Sequence, residues 1–257
     1  MLDGDELKKQ SLKTCKLEKK MFDLSVKPMK HADGYVCPKC QNRRVYMTIF
    51  ERNGLFYTGV GKCECTKSEE IQRHLKKSGL DGLLTKTFSN FKVSSEWQQK
   101  MKDLAIENIK CDEWFYIGGN SGAGKTHICS AIANNLIAQG RTVKYSVWIE
   151  DMQELKSMAN DIEYKEKIDK LKDADVLYID DLFKARNKTD ITAADIRITF
   201  DIINRRDLNK KKTIISSELT LKEVDRVDEA IAGRIAKSSG RYILNLGKDS
   251  SRNQRYK

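Results

Sequence analysis

The chain has 257 residues, of which 39% are hydrophobic and 33% are charged. With two prolines and 15 unclustered glycines, this composition excludes collagen-like and low-complexity proteins and predicts one medium folded domain plus a small one. No apolar stretch is long enough to span a membrane, and residues 1–20 are charged throughout, so we expect a cytoplasmic protein without a membrane partner. The net charge of +11 is compatible with a polyanionic partner.

The first thirty residues are rich in lysine and contain a helical pattern. Leu17, Met21 and Leu24 recur at helical spacing, so we expect a basic amphipathic helical segment over residues 1–30. Two interpretations of its apolar face remain open: it packs on its own domain, or it docks a partner.

Residues 31–70 contain four cysteines in two close pairs, and two strand-like runs between the pairs flank Asn53-Gly54, a strong hairpin signal. The hairpin would bring the pairs together, and four thiolates at one point need a divalent cation. Tetrahedral zinc with no open position fits a structural, zinc-ribbon-like module that is too small to fold alone. The predicted Zn²⁺ ligands are Cys37, Cys40, Cys63 and Cys65, with His31 as an alternative to one of them.

We expect a helical connector over residues 71–110, after which strand patterns alternate with helix patterns through a domain at 111–257. The predicted strands are Trp114–Gly118, Val143–Val147, Val176–Ile179, Thr213–Ser217 and Tyr242–Leu246. Helices are expected over His127–Ala138, over Ala193–Leu208 and after a capping box that starts at Thr220. This alternation predicts an α/β fold whose five-stranded parallel sheet binds ligands beyond the carboxyl ends of its strands.

A complete phosphate-binding pattern, G-x-x-x-x-G-K-[ST], follows the first of these strands. Its residues are Gly119, Asn120, Ser121, Gly122, Ala123, Gly124, Lys125 and Thr126. The glycines let backbone N–H groups converge on phosphate oxygens, and the following helix adds the positive charge of its N-terminus. We expect Lys125 to contact the β- and γ-phosphates of ATP and the Thr126 hydroxyl to bind Mg²⁺. A chance glycine-rich turn is the alternative.

Two carboxylates end the strand that begins at Val176. Asp180 suits the Mg²⁺ shell, and Asp181 suits polarising the water that attacks the γ-phosphate, which predicts hydrolysis of ATP. Helix capping is the alternative role of such an acidic pair.

The phosphate loop, the acidic pair, Ile202–Arg206, Thr213–Thr220 and Ala232–Ile235 together resemble the ATPase domain of the DnaC/DnaI helicase loaders. These are AAA+ proteins close to the IstB transposition helpers. The resemblance covers about residues 80–257, with Thr87–Phe91 as the family's entry segment. A zinc module before such a domain resembles the DnaI branch.

The resemblance also implies roles for single residues. Arg234 matches the arginine finger that enters the ATP site of a neighbouring subunit, which implies self-association through the ATPase domain. Arg252 matches a second sensor. The first, polar sensor falls at Ser217 or Glu218, where the family usually has Asn. The short ending resembles the loaders in leaving no room for a full C-terminal lid.

The leading hypothesis is an ATP-dependent loader that delivers a replicative hexameric DNA helicase to single-stranded DNA. The zinc module and N-terminal helix would bind the helicase, and the ATPase domain would bind DNA. Basic residues that could contact phosphates, or form only a solvated face, are Arg205, Arg206, Lys210, Lys211 and Lys212. Alternatives are an IstB-like transposition helper and, more remotely, a P-loop small-molecule kinase, which would need neither Asp181 to activate water nor Arg234 as a finger.

Overall fold

The computed structural model describes residues 4–27, 40–41, 43–63, 77–158, 162–185 and 190–247. The chain divides into two units, Met1–Gln72 and Arg73–Lys257, and the finer four-part division expected from the sequence stays a prediction. Within the described ranges, no helix has the length and apolarity needed to cross a bilayer.

The first unit contains one helix and one hairpin. Helix α1 spans Gly4–Ser25, and strands β1 (Val45–Arg52) and β2 (Leu55–Lys62) pair antiparallel. Asn53 and Gly54 both have positive φ, 51° and 77°. A type I′ turn, whose twist matches that of a hairpin, requires positive φ at both of its central residues. The hairpin expected at this dipeptide is therefore present.

Side chains of α1 are tied to the hairpin. The backbone N–H of Phe56 donates to Ser11 Oγ at 3.1 Å, and the Thr58 hydroxyl donates to Glu18 at 2.8 Å. By contrast, Leu17, Met21 and Leu24 are 60%, 62% and 76% exposed. These three residues, which we call the α1 apolar face, are left uncovered by the described part of this unit.

The second unit is a parallel sheet with helices around it. Its strands are β3 (Phe115–Gly118), β4 (Val143–Val147), β5 (Val176–Leu182), β6 (Thr213–Ser217) and β7 (Ile243–Asn245). Its helices are α2 (Glu96–Asn108), α3 (Lys125–Ala138), α4 (Trp148–Ser157), α5 (Ile162–Asp173), α6 (Ala193–Leu208), α7 (Leu221–Asp225) and α8 (Glu229–Ser239), with a 3₁₀ turn at Asp81–Leu83. The strand order is β4-β5-β6-β3-β7, and every neighbouring pair is parallel. The predicted fold class is confirmed.

Strands β3 and β6 lie in the middle of the sheet and are buried along their whole length. Burial on both faces suits the apolar residues of β3, whereas β6 combines Ile214 and Ile215 with the buried hydroxyl residues Thr213, Ser216 and Ser217. Because the strands are parallel, the carboxyl ends of β3, β5 and β6 meet at one edge of the sheet. The two sequence motifs predicted to bind ATP follow β3 and end β5, so the fold brings them to this edge.

The expected connector is only partly helical. Among its described residues, Lys77, Ser78, α2 and a short 3₁₀ turn are helical, and side chains hold part of the rest. Asn134 on α3 donates from Nδ2 to the carbonyls of Leu83 and Lys86 at 3.1 and 2.9 Å. Hydrophobic periodicity does not predict such anchoring, because the anchoring side chain belongs to another element.

Candidate functional site

The phosphate loop connects the end of β3 to the start of α3. Gly119, Gly122 and Gly124 have φ values of 134°, 77° and 83°, a region that only glycine occupies readily. A cavity of about 180 Å³ opens on this loop. It is lined by Ser121, Gly122, Gly124, Lys125, Thr126, His127, Asp181, Lys184 and Glu218. The strand, loop and helix context expected from the sequence is therefore present.

Lys125 is folded back onto its own loop. Its ammonium donates to the carbonyls of Gly119 at 2.8 Å and Asn120 at 2.7 Å. The residue is buried, and burial lowers its pKa because desolvation penalises the charged form. A buried ammonium at the wall of a phosphate-sized cavity is placed to contact an anion there.

Asp180 receives hydrogen bonds from four hydroxyl groups. Oδ1 accepts from Tyr178 at 2.8 Å, from Thr126 at 3.2 Å and from Ser216, and Oδ2 accepts from Tyr145 at 2.9 Å. Burial raises the pKa of both phenols, so they remain donors at neutral pH. The Thr126 hydroxyl and the Asp180 carboxylate, predicted from distant motifs, are thus in direct contact. Hydroxyl and carboxylate oxygens are ligands that suit Mg²⁺.

Asp181 lines the cavity and lies in a β-bulge of β5. The β5–β6 register shifts between Ile179 and Leu182, and Asp181 has a φ of 57°, unusual for a residue other than glycine. Its N–H donates to Ser216 Oγ at 3.0 Å, and its Oδ2 accepts from Lys184 Nζ at 2.6 Å. The bulge explains how two adjacent residues of one strand both reach the same site.

The two sensor candidates face different surroundings. Ser217 is fully buried, and its hydroxyl donates to the Leu182 carbonyl at 2.7 Å and accepts from the Leu219 N–H at 3.0 Å. Glu218 lines the cavity instead, with Oε1 3.9 Å from Lys184 Nζ. Of the two positions, the one facing the phosphate loop is therefore the carboxylate.

Arg234 lies on α8, outside the residues that line this cavity. Its Nε donates to Asn204 Oδ1 at 2.9 Å, and its guanidinium lies 4.6 Å from the centre of the Phe200 ring. A role in the site of another subunit stays a prediction. Arg252 lies outside the described residues.

The entry segment Thr87–Phe91 packs against the phosphate loop. His127 lies with Nε2 2.9 Å from the Thr87 carbonyl and 3.0 Å from Asn90 Oδ1. A Cβ on Gly124 would lie 3.0 Å from the Phe91 ring, so this glycine is needed for close packing as well as for its φ. The entry segment therefore packs against the phosphate loop and supports its conformation.

Half of the predicted zinc site lies within the described residues. Cys40 and Cys63 are both buried and pack in one small cluster with Tyr46. Cys37, Cys65 and His31 lie outside the described residues. Within the described ranges, no group of three or more metal-ligating side chains occurs, and the zinc prediction stays a prediction.

The structure corrects the expected basic cluster. Arg206 and Lys212 are buried, 0% and 1% exposed, and serve the fold. Arg206 donates to the carbonyls of Leu171, Lys172, Ala174 and Lys212, while Lys212 donates to those of Asn108, Cys111 and Glu113. Burial lowers the pKa of Lys212 to about 8. The expectation that these two residues contact DNA phosphates is wrong, and Arg205, Lys210 and Lys211 remain as candidates.

Sequence reasoning missed several residues of this site. Tyr145, Ser216, Lys184 and Phe91 touch it from four separate segments. His127, in the first turn of α3, lines the cavity as well. Lys184 had a weak signal, since it follows the acidic pair by three residues.

A phosphate loop on a central parallel strand, with paired carboxylates at the same sheet edge, defines a P-loop ATPase of the AAA+ type. The match to the IstB-like ATP binding protein family covers residues 66–255. The chain belongs to this family. The predicted IstB-like family and AAA+ ATPase class are thereby confirmed, whereas the N-terminal zinc module stays a prediction.

Several curated proteins are similar in sequence. YqaM of Bacillus subtilis strain 168 is 34% identical over 73% of this chain and 64% of its own length. The phage-like element PBSX protein XkdC of the same strain is 32% identical over 83% of both chains. The replicative helicase loader DnaC of Buchnera aphidicola subsp. Baizongia pistaciae is 28% identical over 60% of this chain and 64% of DnaC. The chain thus spans about two thirds of two of these relatives.

Solved structures share the fold. A crystal structure of DnaI matches with a TM-score of 0.54 and 21% identity, covering 65% of this chain and 93% of DnaI. The DnaC helicase loader matches with a TM-score of 0.50 and 17% identity, covering 63% of this chain and 96% of DnaC.

Proposed function

We propose that this protein is an ATP-dependent loader that places a replicative hexameric helicase on single-stranded DNA. The observation that carries the proposal is the single cavity where Lys125, Thr126 and Asp181 meet beside Asp180, in a chain similar to replicative helicase loaders. The loop and the acidic pair supply binding and hydrolysis of ATP. Loading adds a helicase and DNA as partners.

Different residues of the cavity are proposed to have different roles in ATP hydrolysis. The loop N–H groups and Lys125 bind the phosphates, and the N-terminus of α3 adds partial positive charge. Thr126 and Asp180 would hold Mg²⁺, which neutralises phosphate charge when bound. Asp181 accepts a proton from the attacking water. Arg234 from a neighbouring copy would stabilise charge that develops during the reaction. It must first leave Asn204 and Phe200.

The first unit lacks the phosphate-binding motif and is proposed to hold the helicase. Its α1 apolar face is the support, because three large apolar side chains exposed on one basic helix favour a protein partner. A structural Zn²⁺ bound by the four cysteines is proposed to fix this unit, supported by the burial of Cys40 and Cys63 together.

The test is binding of the full chain to the replicative helicase of the same host, measured by co-elution and by calorimetry. Replacing Leu17 and Met21 together with Glu should weaken the complex by at least ~10-fold, because each change removes apolar burial and adds a charge that must be desolvated. Leu208→Glu is the matched control, since Leu208 is 70% exposed but lies at the end of α6 in the other unit.

Three outcomes count against the proposal. If the double variant binds as tightly as the wild type, the α1 apolar face is not the docking surface. If the control weakens the complex equally, the effect is non-specific. If the wild type binds a transposase and no helicase, the loader function must be replaced by that of a transposition helper.

A further inference from the structure

Lys184 is a second lysine in the phosphate cavity. Its Nζ donates to Asp181 Oδ2 at 2.6 Å and lies 3.9 Å from Glu218 Oε1. All three side chains line the cavity, together with Lys125 and Thr126 of the loop. One ammonium therefore bridges two carboxylates on the wall of a site that has to accept a polyanion.

The backbone under Lys184 is fixed, whereas its side chain is accessible. Phe183, immediately before it, is buried and packs edge-on against Trp148 at 5.3 Å between ring centres. The Lys184 N–H donates to the Asp181 carbonyl at 2.9 Å. The side chain itself is 44% exposed. A long, accessible lysine on a rigid base can move its ammonium several ångströms without a change of fold.

Lys184 reduces the repulsion between two carboxylates of the cavity. Asp181 and Glu218 place two carboxylates on the wall of a cavity that is proposed to hold the phosphates of ATP. Like charges at such distances repel. Lys125 is engaged with the carbonyls of Gly119 and Asn120. Lys184 is the lysine of the cavity lining that directly neutralises the two carboxylates.

We propose that Lys184 binds the terminal phosphate and thereby distinguishes ATP from ADP. The inference rests on the proposed binding of ATP in this cavity. With ATP, the ammonium leaves Asp181 and Glu218 for the terminal phosphate, and the freed Asp181 carboxylate can accept the proton of water. With ADP, which lacks that phosphate, the ammonium stays with the carboxylates. Lys184 and Glu218 then perform together, within one chain, the task of a polar sensor.

Calorimetric titration of the full chain with two nucleotides in Mg²⁺ tests the proposal. The probes are AMPPCP, a non-hydrolysable ATP analogue that keeps the terminal phosphate, and ADP. Lys184→Met should weaken AMPPCP binding by about 5- to 10-fold and ADP binding by less than about 2-fold, since a charge-assisted contact is lost only with the former. Lys184→Arg, which keeps the charge, should restore most of the difference.

One control variant, one further variant and one stability measurement support the interpretation. Lys237→Met removes a lysine that also pairs with a carboxylate, Asp207 at 3.3 Å, but does not line this cavity, so it should leave both affinities unchanged. Glu218→Gln keeps Lys184 and removes one competing carboxylate, so it should raise AMPPCP affinity relative to ADP by at least about 2-fold. The melting temperature of Lys184→Met without nucleotide should stay within about 2 °C of the wild type, because exposed ion pairs contribute little stability.

The results separate two kinds of failure. If the wild type binds neither nucleotide, the proposed function fails. If the wild type binds both and Lys184→Met changes them equally or not at all, ATP binding stands and the role of Lys184 is overturned. An unchanged ratio for Glu218→Gln would overturn the competition between carboxylates and phosphate even if Lys184→Met did not fold.

Discussion

At the scale of single residues, the site is organised around one carboxylate. Asp180 accepts from hydroxyls on α3, β4, β5 and β6, so its orientation is set by most of the sheet before any ligand arrives. A group held by several donors needs little reorganisation to act, and such preorganisation is the main contribution of a protein to phosphoryl transfer.

Substitutions of Lys125 and Asp181 are expected to impair different steps, namely ATP binding and ATP hydrolysis. Lys125→Ala should lower ATP affinity by about 100-fold, because it removes a charged contact to the phosphates. Asp181→Ala should bind ATP within about 3-fold of the wild type and hydrolyse it at least ~100-fold more slowly, because it removes a proton acceptor. Equilibrium binding and phosphate release measure the two effects.

Matched controls for these variants are available on the same unit. Lys100→Ala and Asp225→Ala remove exposed groups that do not line the cavity and should be silent in both assays. Hydrolysis at the wild-type rate by Asp181→Ala would show that another group activates the water.

The sequence predicted the residues that belong to local patterns and missed those that act across the sheet. Lys125, Thr126, Asp180 and Asp181 follow from the spacing within two short motifs. Tyr145 carries no such signal, because its distance from Asp180 is set by the pairing of β4 with β5. The basic cluster was misjudged for the same reason: charge along the chain does not show that Arg206 and Lys212 turn inward to bind carbonyl groups.

At the scale of elements, β3 closely approaches the loop after β6. A Cβ on Gly118 would lie 2.0 Å from the Leu219 carbonyl oxygen. The Tyr116 hydroxyl donates to that same oxygen at 2.7 Å. The strand that leads into the phosphate loop and the segment that carries Glu218 are therefore packed backbone to backbone.

Gly118→Ala should consequently destabilise the second unit by about 3 kcal/mol, since neither backbone can move without disturbing the sheet. Gly233→Ala on α8, where a Cβ meets nothing within 4 Å, should instead stabilise it by about 0.5 to 1 kcal/mol. Urea unfolding followed by tryptophan fluorescence measures both, because the three tryptophans, Trp97, Trp114 and Trp148, all lie in this unit. Equal stabilities would contradict the steric account.

Four of the five strands of the second unit agree with their predicted bounds to within one residue, and β5 does not. The observed bounds of β4 and β6 are the predicted ones. Strand β5 extends three residues past the predicted end at Ile179, because the change from apolar to acidic residues at Asp180 predicts a strand end there. A bulge that keeps polar residues in the ladder has no signature in hydrophobic periodicity.

At the scale of the whole molecule, the net charge of +11 should make the proposed binding to single-stranded DNA strongly dependent on salt. Replacing Lys210 and Lys211 with Gln should reduce the slope of log affinity against log salt by about 1.4, about 0.7 for each phosphate contact. Lys165→Gln with Lys170→Gln, two exposed lysines on α5, is the control. Fluorescence anisotropy at several salt concentrations measures the slope, and an unchanged slope in the first variant would remove these lysines from the interface.

The left-handed backbone conformation of Asp181 determines which variant is best suited to affinity purification of partners. Capturing a partner of the ATP-bound form requires a variant that retains the nucleotide without turning it over. Asparagine tolerates a φ of 57° at least as readily as aspartate does. Alanine there adds about 1 kcal/mol of backbone strain beside the phosphates. Asp181→Asn removes the charge and keeps the bulge, so affinity purification from the host should begin with the asparagine form.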